Sequence, residues 1–559
     1  MLSDPVVGHD FYGREDILDT LRKRAGAFVD GYRQNVALIS QPHMGKTSIA
    51  HHFLTTFNSE SVVPLYIPLQ TSDLPSLVEQ TCRRLLYRYL TKFSDVGPEE
   101  CLDVLTALSD SKLPTTTKLI KAMQHGFKKR DNNLTYEQLL KLFGIFNSET
   151  SMKCLIVIDE FQRLDEMGIR EPFKNFGKHI MVQKDSLYIF ISSDPQKANE
   201  ILSEKLSLLF GNFEKITLGE FSFDVANSFV QKKLEPVGSS VAYRKYLIAY
   251  TDGHPFYLNV ICRSLKALAE SEFRPYIDSA LIAESLKRVL FDAEGTLNQH
   301  FLNRISAALP DESRQLAMRI LVCIAGGLTK SKVIAGSLHK SQKEVSGLLV
   351  EMHSKGLIAK SGSFYYFEDR VFKAWIKTVY RHREMSLHID MPSKAEYFFK
   401  DCHEDMSIFI NDSDRKDGGR IAELFRRFDN DMVEIESKTK RIPSFEAVEL
   451  GSQDNRLGCE TLMATTQKKN KWVCRIAHQS VTEDNVHDLL SAGSAEEKKQ
   501  KKVLIVLQGI DAAARVIAKN HFSWILDLRD VNDLMEYYGM SKIVRLPAET
   551  SQPEPLFTI

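Results

Sequence analysis

The sequence predicts an α/β fold: a parallel sheet covered by helices, carrying a phosphate-binding loop and followed by helical, winged-helix and further α/β regions. Three observations carry this. Between residues 36 and 235, the runs NVALIS, VVPLYIPL, KCLIVIDEF, SLYIFISS and FEKITLGEF alternate with amphipathic helical stretches. Strands apolar on both faces belong to parallel sheets, and their alternation with helices marks the α/β class. The first run leads into SQPHMGKTS at 40–48, and the third ends in two carboxylates, Asp159 and Glu160.

At 559 residues the chain is too long for one hydrophobic core, and about three to four domains are expected. With 43% apolar and 26% charged residues it reads as globular, and equal numbers of Lys+Arg and Asp+Glu, 73 each, give no overall bias toward nucleic acid or membrane. The eight cysteines are scattered without a CxxC pair, which argues against a disulfide framework or a zinc knuckle. The N-terminal MLSDPVVGHDFYGRED has no basic region followed by an apolar segment, and no run approaches a membrane span. The expectation is a cytoplasmic protein with no membrane partner.

The elements fall into four expected regions. Residues 1–235 form the core, with a helical insertion at 70–150. Residues 236–308 read as a helical lid, interrupted at TDGHPFYL by Gly253 and Pro255. Within 309–385, three helices end in SQKEVSGLLVEM, with Ser341 as N-cap and Glu344 three residues on. The hairpin IAKSGSFYYFED follows, completing a winged helix. Residues 386–559 form a C-terminal α/β domain with strands MVEIES, ETLMATT, KWVCRIAH and KVLIVLQ, and the charged SAGSAEEKKQKK reads as a solvated loop.

A phosphate-binding loop reads G-x-x-x-x-G-K-[ST], and here Gly45, Lys46 and Thr47 satisfy its end while Ser40 stands where the first glycine belongs. If that position needs positive φ, serine costs roughly 1 kcal/mol. Gly45 permits close approach, Lys46 supplies charge and Thr47 offers a hydroxyl to Mg²⁺. Asp159, at the end of a buried strand, stands where the metal would sit, and Glu160 is placed to polarise a water as general base. Ser192 and Ser193 follow the next strand, where a hydroxyl can reach the γ-phosphate or that water. The plain alternatives are a helix that begins with lysine and a strand that ends in two solvated acids.

FYGREDILDTL, PHMGKTS, LIVIDEFQRL, FISS, TDGHPFYL and FYYFEDRVFKAWI together resemble the archaeal-type branch of P-loop NTPases, AAA+ ATPases related to the STAND signalling ATPases and to origin-recognition ATPases. The resemblance covers about residues 8–380 and implies ATP and Mg²⁺ as cofactors. It assigns Gly13, Arg14 and Glu15 to the adenine side and Pro42, His43, Met44, Gly45, Lys46, Thr47 and Ser48 to the phosphates. Thr47 and Asp159 fall to the metal, Lys46, Glu160 and Ser193 to catalysis, and His254 and Pro255 to a nucleotide-sensing lid turn. Without it, GREDILDTL is a capped amphipathic helix and GHP an interhelical turn. Two departures, Ser40 and Asn212 in place of a transition-state arginine, imply slow hydrolysis or an arginine from elsewhere.

The region 395–545 loosely resembles the PD-(D/E)xK restriction-endonuclease-like fold. That chemistry needs an Asp and a following (D/E)-x-K to collect Mg²⁺. Arg475-Ile476-Ala477 offers neither, and Glu460 alone stands for the first acid, so a nuclease-like domain without nuclease chemistry is expected, with an active variant as the alternative. Glu434 and Glu436 read as an exposed strand face. Arg475, His478 and KKNK, with Lys330, Lys332, Lys340 and Lys343 around the third helix of the winged helix, are candidates for a phosphate backbone. A protein-interaction role is the alternative. The functional expectation is an ATP-driven switch engaging double-stranded DNA or a protein partner, with nucleotide-dependent homo-oligomers as a further option. A non-hydrolysing ATP-bound scaffold is its rival, and an ATP-gated nuclease stands behind both.

Overall fold

Five strands, β1 (Asn35–Ile39), β2 (Val62–Pro68), β3 (Lys153–Asp159), β4 (Ser186–Ser192) and β5 (Phe213–Thr217), form one parallel sheet in the order β2-β3-β4-β1-β5. They are the five apolar runs of the sequence. The computed structural model describes residues 5–69, 73–128, 131–206, 213–385, 390–435, 438–454, 458–491 and 500–546. The chain divides into two units, Met1–Phe221 and Ser222–Ile559.

Alternation decides which face each residue joins. Ala37, Ile39, Leu65, Ile67, Ile156, Ile158, Tyr188 and Phe190 pack on one side with helices α3 (Leu74–Leu90), α4 (Asn132–Thr150) and α5 (Pro172–Val182). Val36, Leu38, Leu155, Val157, Ile189 and Ile191 pack on the other with α1 (Glu15–Val29) and α2 (Lys46–Thr56). Strands β1 and β4 are neighbours, yet β1 connects toward β2 at one edge and β4 toward β5 at the other. A reversal of this kind opens a crevice at the C-terminal ends of the two strands, which is where ligands bind in open α/β sheets.

The second unit begins with helices between Phe223 and Ala308, joined by the short parallel pair β6 (Gly238–Ser239) and β7 (Tyr276–Ile277). Three helices, Asp311–Ala325, Ser331–Ser337 and Gln342–Ser354, precede the hairpin β8 (Ala359–Ser361) and β9 (Phe364–Tyr366). The Ser341 side chain caps the third helix, accepting from the Glu344 N–H at 3.2 Å. The hairpin is not a free wing. Ser363 N–H donates to the Met432 carbonyl at 2.9 Å and Glu434 N–H to Ser361 Oγ at 2.9 Å, both on β10 (Asp431–Ile435), which pairs with β11 (Lys438–Ile442).

The last sheet is mixed. Strands β12 (Ala447–Asp454), β13 (Cys459–Thr465) and β14 (Lys471–Ala477) run antiparallel, and β15 (Lys501–Val506) and β16 (Trp524–Asp527) continue parallel to β14. The end of the charged segment expected as loop, Lys501 and Lys502, is the start of β15; residues 492–499 lie outside the described residues. Glu434 is exposed on β10 as expected, and Glu436 lies outside the described residues.

Candidate functional site

The segment 40–45 turns from β1 into α2 directly at the β1/β4 crevice. Gly45 has φ 90, and a Cβ built on it would meet nothing within 4 Å, so the loop opens outward where a phosphate would approach. His43 shares the positive φ, at 63. Ser40 does not. The expected cost of replacing the first glycine is therefore absent, because this backbone position does not require glycine. Met44 is buried in the core against α1 and α2, so it anchors the loop through its side chain. Pro42 and His43 are exposed on the loop crest.

Lys46 is only 4% exposed. Its ammonium donates to Ser40 Oγ at 2.8 Å, to the Gln41 carbonyl at 2.8 Å and to the Ser40 carbonyl at 3.3 Å. Burial pulls its pKa down to about 8, with Glu160 and Asp159 acting in the opposite direction.

Asp159 ends β3, two strands from β1, and is 5% exposed. One of its oxygens, Oδ2, accepts from Thr47 Oγ1 at 2.9 Å and from the Tyr66 hydroxyl at 2.6 Å. A hydroxyl and a carboxylate side by side at a helix N-terminus are the hard oxygen donors that Mg²⁺ selects, so the donor set fits that ion. Tyr66 lies on β2, its hydroxyl proton held by burial and by Asp159, and its ring lies 4.2 Å from that of His51. Burial lowers the His51 pKa, which favours the neutral ring.

Glu160 has left-handed backbone, φ 58, a conformation that costs a non-glycine residue about 1–2 kcal/mol and here turns the chain sharply out of β3. Its carboxylate accepts from Ser193 Oγ at 2.5 Å and Gln162 Nε2 at 2.5 Å. Ser193 follows β4, so the crevice gathers Lys46, Thr47, Asp159, Glu160 and Ser193 from three strand ends. Ser192 is buried and donates to the Asp194 carbonyl. Sequence reasoning missed Tyr66 and Gln162.

Gly13 and Arg14 take left-handed φ, 67 each, just before α1. The Arg14 guanidinium donates to the Gly219 carbonyl at 2.5 Å and lies 4.9 Å from the Phe221 ring, fastening the entry of α1 to the segment after β5. Ser48 accepts from the Val6 N–H at 2.9 Å. Phe11 stacks on His52 at 4.2 Å, so residues 6–14 pack along α2. His254 and Pro255 belong to the second unit, where they start the helix Pro255–Ser271 after left-handed Asp252 and Gly253. Asn212 lies outside the described residues.

In the C-terminal sheet Glu460 sits opposite Ile476, one residue beyond the Arg475 where the acid-x-lysine pattern was sought. The next same-face residue is His478, whose Nε2 is 3.4 Å from Glu460 Oε2. Arg545 donates to His478 Nδ1 at 2.7 Å and to Asp417 at 2.5 Å. Because Nδ1 accepts from a guanidinium, the neutral ring carries its proton on Nε2, which lies near Glu460 Oε2 without a hydrogen bond to it and offers no lone pair to a metal. Among the described residues no three His, Cys, Asp or Glu gather as a metal site.

No family model matches the chain, and no curated protein matches it. Comparison with solved structures finds distant similarity. A Walker-type ATPase of Pyrococcus abyssi is 15% identical, with 67% of this chain and 100% of that one covered at a TM-score of 0.43. The ORC2 protein of Aeropyrum pernix, solved as ADPNP-ADP complexes, is 10% identical, with 72% and 98% covered at 0.44. The RuvB Holliday junction branch migration motor of Thermotoga maritima is 14% identical, with 66% and 97% covered at 0.33. The reading of the site rests on its own geometry.

Proposed function

We propose that the protein is an ATP-binding and ATP-hydrolysing switch. One observation carries the reading: a lysine-bearing loop, a Thr47–Asp159 oxygen pair and the Glu160 carboxylate converge on the β1/β4 crevice. The loop and the N-terminus of α2 hold the phosphates, with Lys46 as their cation. Thr47 and Asp159 hold Mg²⁺, which when bound neutralises charge on the phosphates. Glu160 takes the proton of the attacking water, and Ser193 orients its carboxylate. Gly13 and Arg14 border the adenine, and His254 and Pro255 form the turn that starts the helix Pro255–Ser271 of the second unit.

The regions 1–235, 236–308, 309–385 and 386–559 serve as ATPase core, lid, winged helix and nuclease-like domain. The Glu460–His478–Arg545 arrangement supports a C-terminal domain that recognises rather than cuts. Because the hairpin β8–β9 is engaged by β10, the winged helix is left with the exposed side of Gln342–Ser354, where Lys343, Gly347 and Val350 are open to duplex DNA or a protein partner.

Calorimetric titration of ATP with Mg²⁺ into the wild type, Lys46→Ala and Thr47→Val, with and without duplex DNA, tests the reading. Binding that Lys46→Ala abolishes and that becomes Mg²⁺-independent in Thr47→Val is expected. Equal binding by all three would contradict it, and tight ATP binding with no turnover under any condition would leave a scaffold.

A further inference from the structure

Ser40 gives the Lys46 ammonium something a glycine cannot. Its hydroxyl donates to the Gln41 carbonyl at 2.9 Å, which leaves its oxygen lone pairs to Lys46 Nζ at 2.8 Å. Two backbone carbonyls complete the set, so all three acceptors are neutral and all come from the loop itself. Among the described residues no carboxylate lies within 4.0 Å of Nζ. Ser40 is 2% exposed, so no solvent replaces the hydroxyl if it is removed.

We propose that the Ser40 hydroxyl is a holding site for the Lys46 ammonium: it retains the cation inside the loop, and phosphate oxygens must displace it before Lys46 engages nucleotide. Ser40 is then a positioning residue that sets affinity without touching the ligand. The proposal rests on the nucleotide reading of the loop. Exchange toward phosphate is favourable because an anionic oxygen is the stronger acceptor, and each neutral acceptor given up subtracts from that gain. Removing the hydroxyl leaves two carbonyls, so the resting lysine is held less firmly and binding tightens. Since Ser40 has ordinary backbone conformation, a smaller residue changes the loop by little more than one hydroxyl.

The test is the affinity of the full chain for ATP, ADP and AMP, by calorimetry, in the wild type, Ser40→Ala and Ser40→Gly, with thermal unfolding as the check of fold. The expected result is ATP and ADP bound roughly three- to tenfold more tightly by both variants, with AMP, which lacks the β- and γ-phosphates, unchanged. General damage to the loop would weaken binding instead, and Ser40→Gly stands in should the alanine variant lose its fold. ATP affinity equal to or below wild type in the folded variants overturns the holding role while leaving the nucleotide reading intact. A folded wild type that binds no nucleotide overturns that reading, and the holding role with it.

Discussion

Asp159 Oδ2 receives two hydroxyl hydrogen bonds, from Thr47 and from Tyr66, and this sets what single residues should do. Tyr66 has no place in any local motif, because β2 meets β3 only after the chain has crossed the sheet and the whole helical insertion has intervened. Tyr66→Phe removes one of the bonds that orient the carboxylate, so Mg²⁺-dependent ATP affinity should fall about tenfold, measured by Mg²⁺ titration at fixed ATP. Affinity unchanged at every Mg²⁺ concentration would show that the Tyr66 hydrogen bond to Asp159 does not bear on Mg²⁺-dependent binding. Ser40 was legible as a departure from the loop pattern but not as harmless, since the φ that decides the matter is a property of the folded turn. Lys46, Thr47, Asp159 and Glu160 were legible because each is tied to a strand end by sequence alone. The hydrogen bonds of Ser193 and Gln162 to Glu160 were not, because they depend on two separate turns closing on one carboxylate.

At the scale of elements, the five apolar runs of the first sheet became its five strands: β1, β3 and β4 are buried on both faces at its centre, while β2 and β5 are its partly exposed edges. The hairpin after Gln342–Ser354 was equally legible as a hairpin. Its docking on β10 was not, because Ser361 and Ser363 read as ordinary turn residues until the second strand pair is beside them. Gly362 marks the join: it has φ 55, and a Cβ there would collide with the Met432 carbonyl oxygen. Gly362→Ala combines left-handed strain with a backbone clash, and should cost about 2–4 kcal/mol of the second unit's stability. A shift of the urea midpoint measures it, and an unshifted midpoint would mean that the join gives way freely. Strand β11 escaped the sequence reading because KTKRI has only one buried residue, Ile442, and pairs as a solvated edge.

Across the second unit as a whole, a buried charge cluster joins parts far apart in sequence. Glu536 pairs with Lys373 and, at 3.2 Å, with Arg370, while Lys542 pairs with Asp252 at 2.8 Å, two residues before His254. Burial alone would raise the Glu536 carboxyl, but Arg370, Lys373 and Lys542 outweigh it and hold the pKa at about 2. Its contribution is present above pH 4.5 and lost as pH falls toward 2. Asp533 runs the other way: burial raises it from 3.8 to about 6, so its ionisation costs stability progressively as pH rises through that window. Asp533→Asn should therefore raise the thermal midpoint at pH 7.5 by more than at pH 4. An equal effect at both would remove titration as the cause. Composition gave no hint of this cluster, since 73 acids balancing 73 bases says nothing of which of them meet.

The central claim, that the β1/β4 crevice hydrolyses ATP with Glu160 as its base, is tested most directly by single-turnover hydrolysis with Mg²⁺ in the wild type, Lys46→Ala and Glu160→Gln. The account predicts turnover by the wild type, retained ATP binding with a rate lower by roughly 10²–10⁴ in Glu160→Gln, and neither binding nor turnover in Lys46→Ala. Turnover by Glu160→Gln at the wild-type rate would contradict it.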